Sequence, residues 1–191
     1  MVNPVETAHE QMHEAHHAAD GDPWPIRMAV VVSFLAASLA VAEIGAKSSQ
    51  TKYLTHHITA SDTWNFYQAK NLRAIVRDSQ AVTLESLPTA NDPAVQEKIK
   101  AARAEQARMR DEPGSGDGMK QLKDKALHEE HERDAAFHAY HGYEYTAGAL
   151  EIAIVLASVS VVTRLHQLGI AAGAIGAVAC LYGLAVFGHL V

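Results

Sequence analysis

Residues 26–46 read "IRMAVVVSFLAASLAVAEIGA". A helix needs about 20 predominantly apolar residues to cross ~30 Å of hydrocarbon, and this run is that long. Two more follow: Tyr145–Thr163, "YTAGALEIAIVLASVSVVT", and Leu168–Val191, "LGIAAGAIGAVACLYGLAVFGHLV". The competing reading is three buried helices of a soluble core. The runs lack a repeating polar face, which favours membrane spans. The preceding tail, residues 1–25, is acidic where a signal peptide has a basic start, so the first run is expected to be an uncleaved anchor. Pro23 and Pro25 flank Trp24 and are expected to break any helix there. Trp24 then sits where an interfacial aromatic anchor belongs.

The charge lies between the runs. Of 16 Lys and Arg residues, only Arg27 and Arg164 fall outside residues 45–144. The one cysteine, Cys180, lies in an apolar run and carries no information about compartment. Residues 47–87 contain no proline, and a helix over them extends to ~60 Å. Pro88 stops it, Asp92 is placed to cap the next helix, and Pro93 suits its first turn. Residues 93–111 carry a 4-3-4-3 stripe, Val95, Ile99, Ala102, Gln106 and Met109, spaced like a coiled-coil seam. "EPGSGDG", residues 112–118, predicts a flexible break, and a third polar helix over 119–143 leads into the second span. The expected fold is an all-α membrane protein: three transmembrane helices, with a long antiparallel helical hairpin over residues 47–144 between the first and second.

No Gly-rich phosphate loop, zinc-type Cys pair or nucleophile elbow is present, and the expectation is a protein that is not an enzyme. Three spans put the hairpin and the C-terminus on one side. Lys47, Lys52, Lys125 and Arg133 flank the membrane there, against Arg27 and Arg164 opposite, so the positive-inside rule favours a cytoplasmic hairpin. Acidic residues interleave the basic stretch "KIKAARAEQARMR", which reads as a solvated helix face with no nucleic-acid partner.

"TWNFYQAK", Thr63–Lys70, concentrates three large aromatics in a chain with 6% aromatics. On a helix Phe66 points away from Trp64 and Tyr67, so burying all of them takes more than one neighbour. A second copy of the chain is the expected source. The expected oligomer interface comprises Trp64, Phe66, Tyr67, Gln68 and Lys70, with the small residues Gly169, Gly173 and Gly176 in the third span. Besides itself and the bilayer, a heterologous protein partner stays open.

Trp64-x-Phe66-Tyr67-Gln68-Ala69-Lys70, followed by Arg73, resembles the signature of a bacterial family of small inner-membrane proteins described only as a domain of unknown function. The resemblance covers roughly residues 20–190. It implies the span–hairpin–span–span architecture and an inner-membrane location. It implies no reaction, substrate or partner.

The 12 histidines are the chemical anomaly. His9, His13, His16 and His17 crowd the tail. His128, His131, Asp134, His138 and His141 share one helical stripe, a pattern open to polar packing or to a transition metal. No other cofactor is expected. Glu43 and Glu151 are acids within or at the edge of the spans, and their positions allow a similar depth. Such carboxylates usually face a cavity, a partner or another subunit. Three functions follow as expectations: a homo-oligomeric membrane scaffold, an ion- or solute-conducting assembly using Glu151, or a metal- or pH-responsive protein using the histidines.

Overall fold

The structure, a computed structural model, describes residues 23–188. The tail histidines His9, His13, His16 and His17 lie outside the described residues. Among the described residues the protein is all-helical: α1 (Trp24–Glu85), α2 (Pro93–Arg110), α3 (Met119–Thr163) and α4 (His166–Phe187). Helices α1, α3 and α4 each contain a segment long and apolar enough to cross a membrane.

The expected break at Trp24 is corrected. Trp24 and Pro25 belong to α1, because Pro is tolerated in a first turn, where the N–H it lacks has no helical partner anyway. The helix ends at Glu85, just before Pro88, and a turn over 86–92 leads into α2. Asp92 occupies the N-cap position with extended backbone, but its side chain makes no capping bond. The Gln96 side-chain amide instead donates to the Ala90 carbonyl at 2.7 Å. The α2–α3 connection is tied at its ends. Gln121 donates to the Asp111 carboxylate at 2.5 Å and accepts from the Glu112 amide at 3.3 Å. Gly116 takes a positive φ of 73°, which a residue without a β-carbon adopts freely.

The chain divides into two compact units. Among the described residues, the span unit comprises 23–51 together with 135–188. Its core interleaves Val32, Leu35, Leu39 and Ala42 of α1 with Leu150, Ala153, Ile154 and Ala157 of α3 and Ala172 and Ala179 of α4. Hydroxyls within the apolar segments bond back to their own helices: Ser33 to the Ala29 carbonyl, Ser38 to Phe34, Thr146 to Gly142 and Ser158 to Ile154. That satisfies them without water, as a hydrocarbon surrounding demands. The polar unit is Lys52–Asp134, and its small core comprises Ala81, Ile99 and Ala102, with Leu84 and Val95 against them.

Candidate functional site

Within the polar unit α1 has two unlike faces. The inner face buries small residues: Ala60 and Ala74 are each 3% exposed and Ala81 is fully buried, with Thr63 buried on the same face. Polar ties to α2 and α3 surround this strip. The Trp64 indole donates to the Glu130 carboxylate at 3.0 Å, and His56 Nδ1 lies 2.7 Å from Glu129. Trp64 also meets Tyr67 edge-to-face, with ring centroids 5.5 Å apart. The Lys70 ammonium donates to the Asp117 carbonyl, stands 3.7 Å from the Glu112 carboxylate, and lies over the Phe66 ring at 5.7 Å. Asp78 accepts from both Arg103 and Gln106. On α2, hydrogen bonding from Arg108 holds the Glu105 carboxyl below its usual range, against the opposing effect of burial.

The outer face carries the larger apolar side chains. Leu54, Ile58, Leu72, Ile75 and Val82 are all exposed, Ile58 at 59% and Leu72 at 64%. Ser61, Asn65, Gln68 and Ser79 lie between them, also exposed. A hairpin that stood alone would be expected to bury its Leu and Ile and to show its Ala to water. Here the order is reversed. The sequence carries this stripe as a 4-3 spacing from Leu54 to Val82, but four polar residues interrupt it and hide it from a hydropathy pattern.

The structure divides the aromatic motif between these faces. Trp64, Tyr67 and Lys70 are half-buried against partners in the same chain, whereas Phe66 and Gln68 are exposed. The α2 stripe turns inward: Ile99, Ala102 and Gln106 are buried. In the span unit, two of the three glycines are already packed within the chain. A β-carbon at Gly169 would meet the Trp24 ring, Met28 and Ser160, and one at Gly176 would run into Leu35. Nothing stands within 4 Å of such a carbon at Gly173.

The packing also sets the depth of the two acids. Gly45 abuts the Tyr143 ring at one end of the span unit, and the Trp24 indole donates to Ser160 Oγ at 3.3 Å at the other. Glu43 is therefore near the Tyr143 end. Glu151 is eight residues beyond Tyr143 on α3, roughly 12 Å further along. That is level with Leu35, which seats on Gly176 of α4 midway along the bundle. The two acids stand at different levels along the bundle, because Glu43 is two residues from the level at which Gly45 meets Tyr143 and Glu151 is eight. Glu151 is exposed, while its neighbours Leu150 and Ala153 are fully buried. The basic residues Arg27, Lys47 and Arg164 stand at the ends of the unit, away from that level.

His128, His131, Asp134 and His138 are exposed, and His141 is half-buried. His141 Nδ1 lies 2.9 Å from Glu144, its ring stands edge-on to Phe137 at 4.3 Å, and Tyr140 also donates to Glu144. Among the described residues no three His, Cys, Asp or Glu side chains gather into a group that would hold a metal.

No curated protein and no solved structure matches this chain. Residues 24–189, which take in all four helices, match the DUF4337 family, a domain of unknown function, and the chain belongs to that family.

Proposed function

We propose that the protein is a homo-oligomeric integral membrane protein of structural, scaffolding type, without enzymatic activity. Copies of it associate in a bacterial inner membrane, with the polar unit on the cytoplasmic side. The observation that carries this reading is the reversal on α1, where Leu and Ile face outward and Ala inward. Large exposed apolar side chains aligned on one helix face, with polar residues between them, suit a protein contact. The polar interactions of the motif tie α1 to the rest of its unit, Trp64 to Glu130 on α3 and Lys70 to Asp117 in the α2–α3 connection, and leave no open reactive centre among these residues. The balance of Lys47, Lys52, Lys125 and Arg133 against Arg27 and Arg164 supports the orientation.

A second reading, a proton- or ion-conducting assembly, is favoured by one observation: Glu151 is exposed midway along an apolar unit. A carboxylate at that level is costly unless it meets a partner, a cavity or a proton.

Native mass spectrometry of untagged protein, released from its membranes in mild detergent, tests the first reading. A discrete homo-oligomer is expected, and a clean monomer overturns it. Flux across liposomes holding the protein separates the second. Conduction requires Glu151→Gln to change flux while the oligomer persists. A scaffold shows no flux to change.

A further inference from the structure

The outer stripe of α1 follows a heptad without a break. If Ile58 is position a, then Asn65, Leu72 and Ser79 are the following a positions. The d positions are Leu54, Ser61, Gln68, Ile75 and Val82. Every one of these residues is exposed. The stripe spans about four heptads, long enough to specify a coiled coil, and all of it lies in the polar unit. Asn65 and Gln68 make no side-chain hydrogen bond within the described residues.

We infer that this stripe is the seam of a parallel, two-stranded coiled coil formed with a second copy of the chain, with Asn65 of each copy meeting at one a layer. The inference rests on the self-association proposed above and names its face, orientation and stoichiometry. Three features of the stripe select this occupant. First, a seam with Ser, Asn and Gln at its centre is too polar for acyl chains. Second, a single Asn at an a position is self-complementary in an in-register parallel pair, where each amide bonds the other. Against an apolar residue it is left unpaired, so it fixes register and strand number. Third, the flanking residues are compatible with this register, an imidazole meeting a carboxylate that can accept its N–H. Position g of one strand approaches the e position five residues on in its partner. That sets His57 of one copy beside Asp62 of the other, both exposed. The other flanking pairs are uncharged or bring Asp78 to Thr83, so no like charges oppose the parallel register. Copies inserted in the membrane in the same sense present their α1 helices in parallel, as this register requires.

The inner face needs no rearrangement for this. The residues of α1 buried against its own chain, Ala60, Thr63, Ala74 and Ala81, occupy c and f positions, away from the seam, and so do His56 and Lys70; Trp64 and Asp78 make their intrachain ties from g positions on its flank. Each α1 therefore packs two ways at once, small residues inward and heptad residues outward.

The test uses full-length protein in its membranes with Cys180→Ala as background. Asn65→Cys and Leu72→Cys each place a thiol at an a position. Arg73→Cys and Gln80→Cys place one at an exposed b position, away from the seam. Mild oxidation is expected to give a disulfide-linked dimer at 65 and 72, at least tenfold more than at 73 and 80. Native mass spectrometry of the parent protein is expected to give a dimer or a multiple of dimers. The double variant Ile58→Asp/Ile75→Asp, whose changes are on the exposed face, is expected to keep its helix content by circular dichroism and lose the dimer at least tenfold. A discrete oligomer with no preference for 65 and 72, or one that survives the double Asp variant, overturns the inference and leaves self-association standing. A monomer with no cross-link at any of the four positions overturns both.

Discussion

The Trp64 indole N–H points at the Glu130 carboxylate, 3.0 Å away, and joins α1 to α3 across the polar unit. The two residues are 66 positions apart, so the bond closes the hairpin. Hydrogen bonds to charged groups contribute about 1.5–3 kcal/mol. Trp64→Phe keeps an aromatic ring and removes the donor. It is expected to destabilise the polar unit by ~1–2 kcal/mol. Thermal unfolding in detergent, followed by circular dichroism, reads the loss. Subunit number is expected to stay unchanged, because the indole is committed inside the chain. Dissociation of the oligomer on this substitution would return Trp64 to the intersubunit contact.

Gly173 and Gly176 are three residues apart and have opposite surroundings. Gly173 has room for a side chain, whereas Leu35 already fills the space at Gly176. Gly173→Ala is expected to be neutral or to gain up to about 1 kcal/mol, from helix propensity alone. Gly176→Val forces Leu35 off its seat and is expected to cost ~1–3 kcal/mol, as overpacking typically does. Melting temperatures of the two variants, compared in one detergent, decide this. Equal losses would mean that Gly173 is also occupied, which only a second molecule would explain.

Glu151 is exposed midway along the span unit, and Glu43 near its end. A carboxyl group that a lipid-soluble carbodiimide reaches, away from water and amines, is converted to a stable acylurea. Modification is expected at Glu151 in preference to Glu43, and a water-soluble carbodiimide is expected to reverse the order. Peptide mass mapping after membrane labelling locates the adduct. Equal labelling by both reagents would mean that water reaches Glu151.

On α2, the Arg108 guanidinium hydrogen-bonds Glu105 and holds its carboxyl below the ordinary 4.5. A lowered native value means that the contact is fully present above about pH 4.5 and is lost as pH falls through the depressed value. Arg108→Ala is expected to move the Glu105 midpoint upward, read by carboxyl carbon NMR shifts against pH. Global stability is expected to change little, because the pair is in water. An unmoved midpoint would show that the pair does not persist in solution.

The legibility of this protein varies from residue to residue. The three long apolar helices were readable because predominantly apolar runs of that length leave few alternatives. Pro88, Asp92 and Pro93 marked the first hairpin turn because proline constrains the backbone locally, whatever it packs against. The aromatic motif was conspicuous, but its partners were not. Trp64 and Glu130 are neighbours only after α1 and α3 have paired, and spacing along one helix does not report that. The outer stripe escaped for a different reason. Its period is local, but nothing local says which side of α1 the chain covers. Leu54, Ile58, Leu72 and Ile75 gain meaning only once Ala60, Ala74 and Ala81 are known to face inward.

By itself the sequence determined the all-helical class, the three apolar runs, the turn at Pro88 and the change from apolar to charged surroundings. These follow from properties each segment has in isolation: hydrophobic length, backbone restriction and charge. Only the tertiary structure decided that Trp64 and Lys70 are tied within the chain, that Gly176 is filled by Leu35, that Glu151 is further along the bundle than Glu43 from the Gly45–Tyr143 contact, and that Leu54, Ile58, Leu72, Ile75 and Val82 of α1 are left outside. Each depends on which helix faces come together and in what register, and such contacts join residues tens of positions apart.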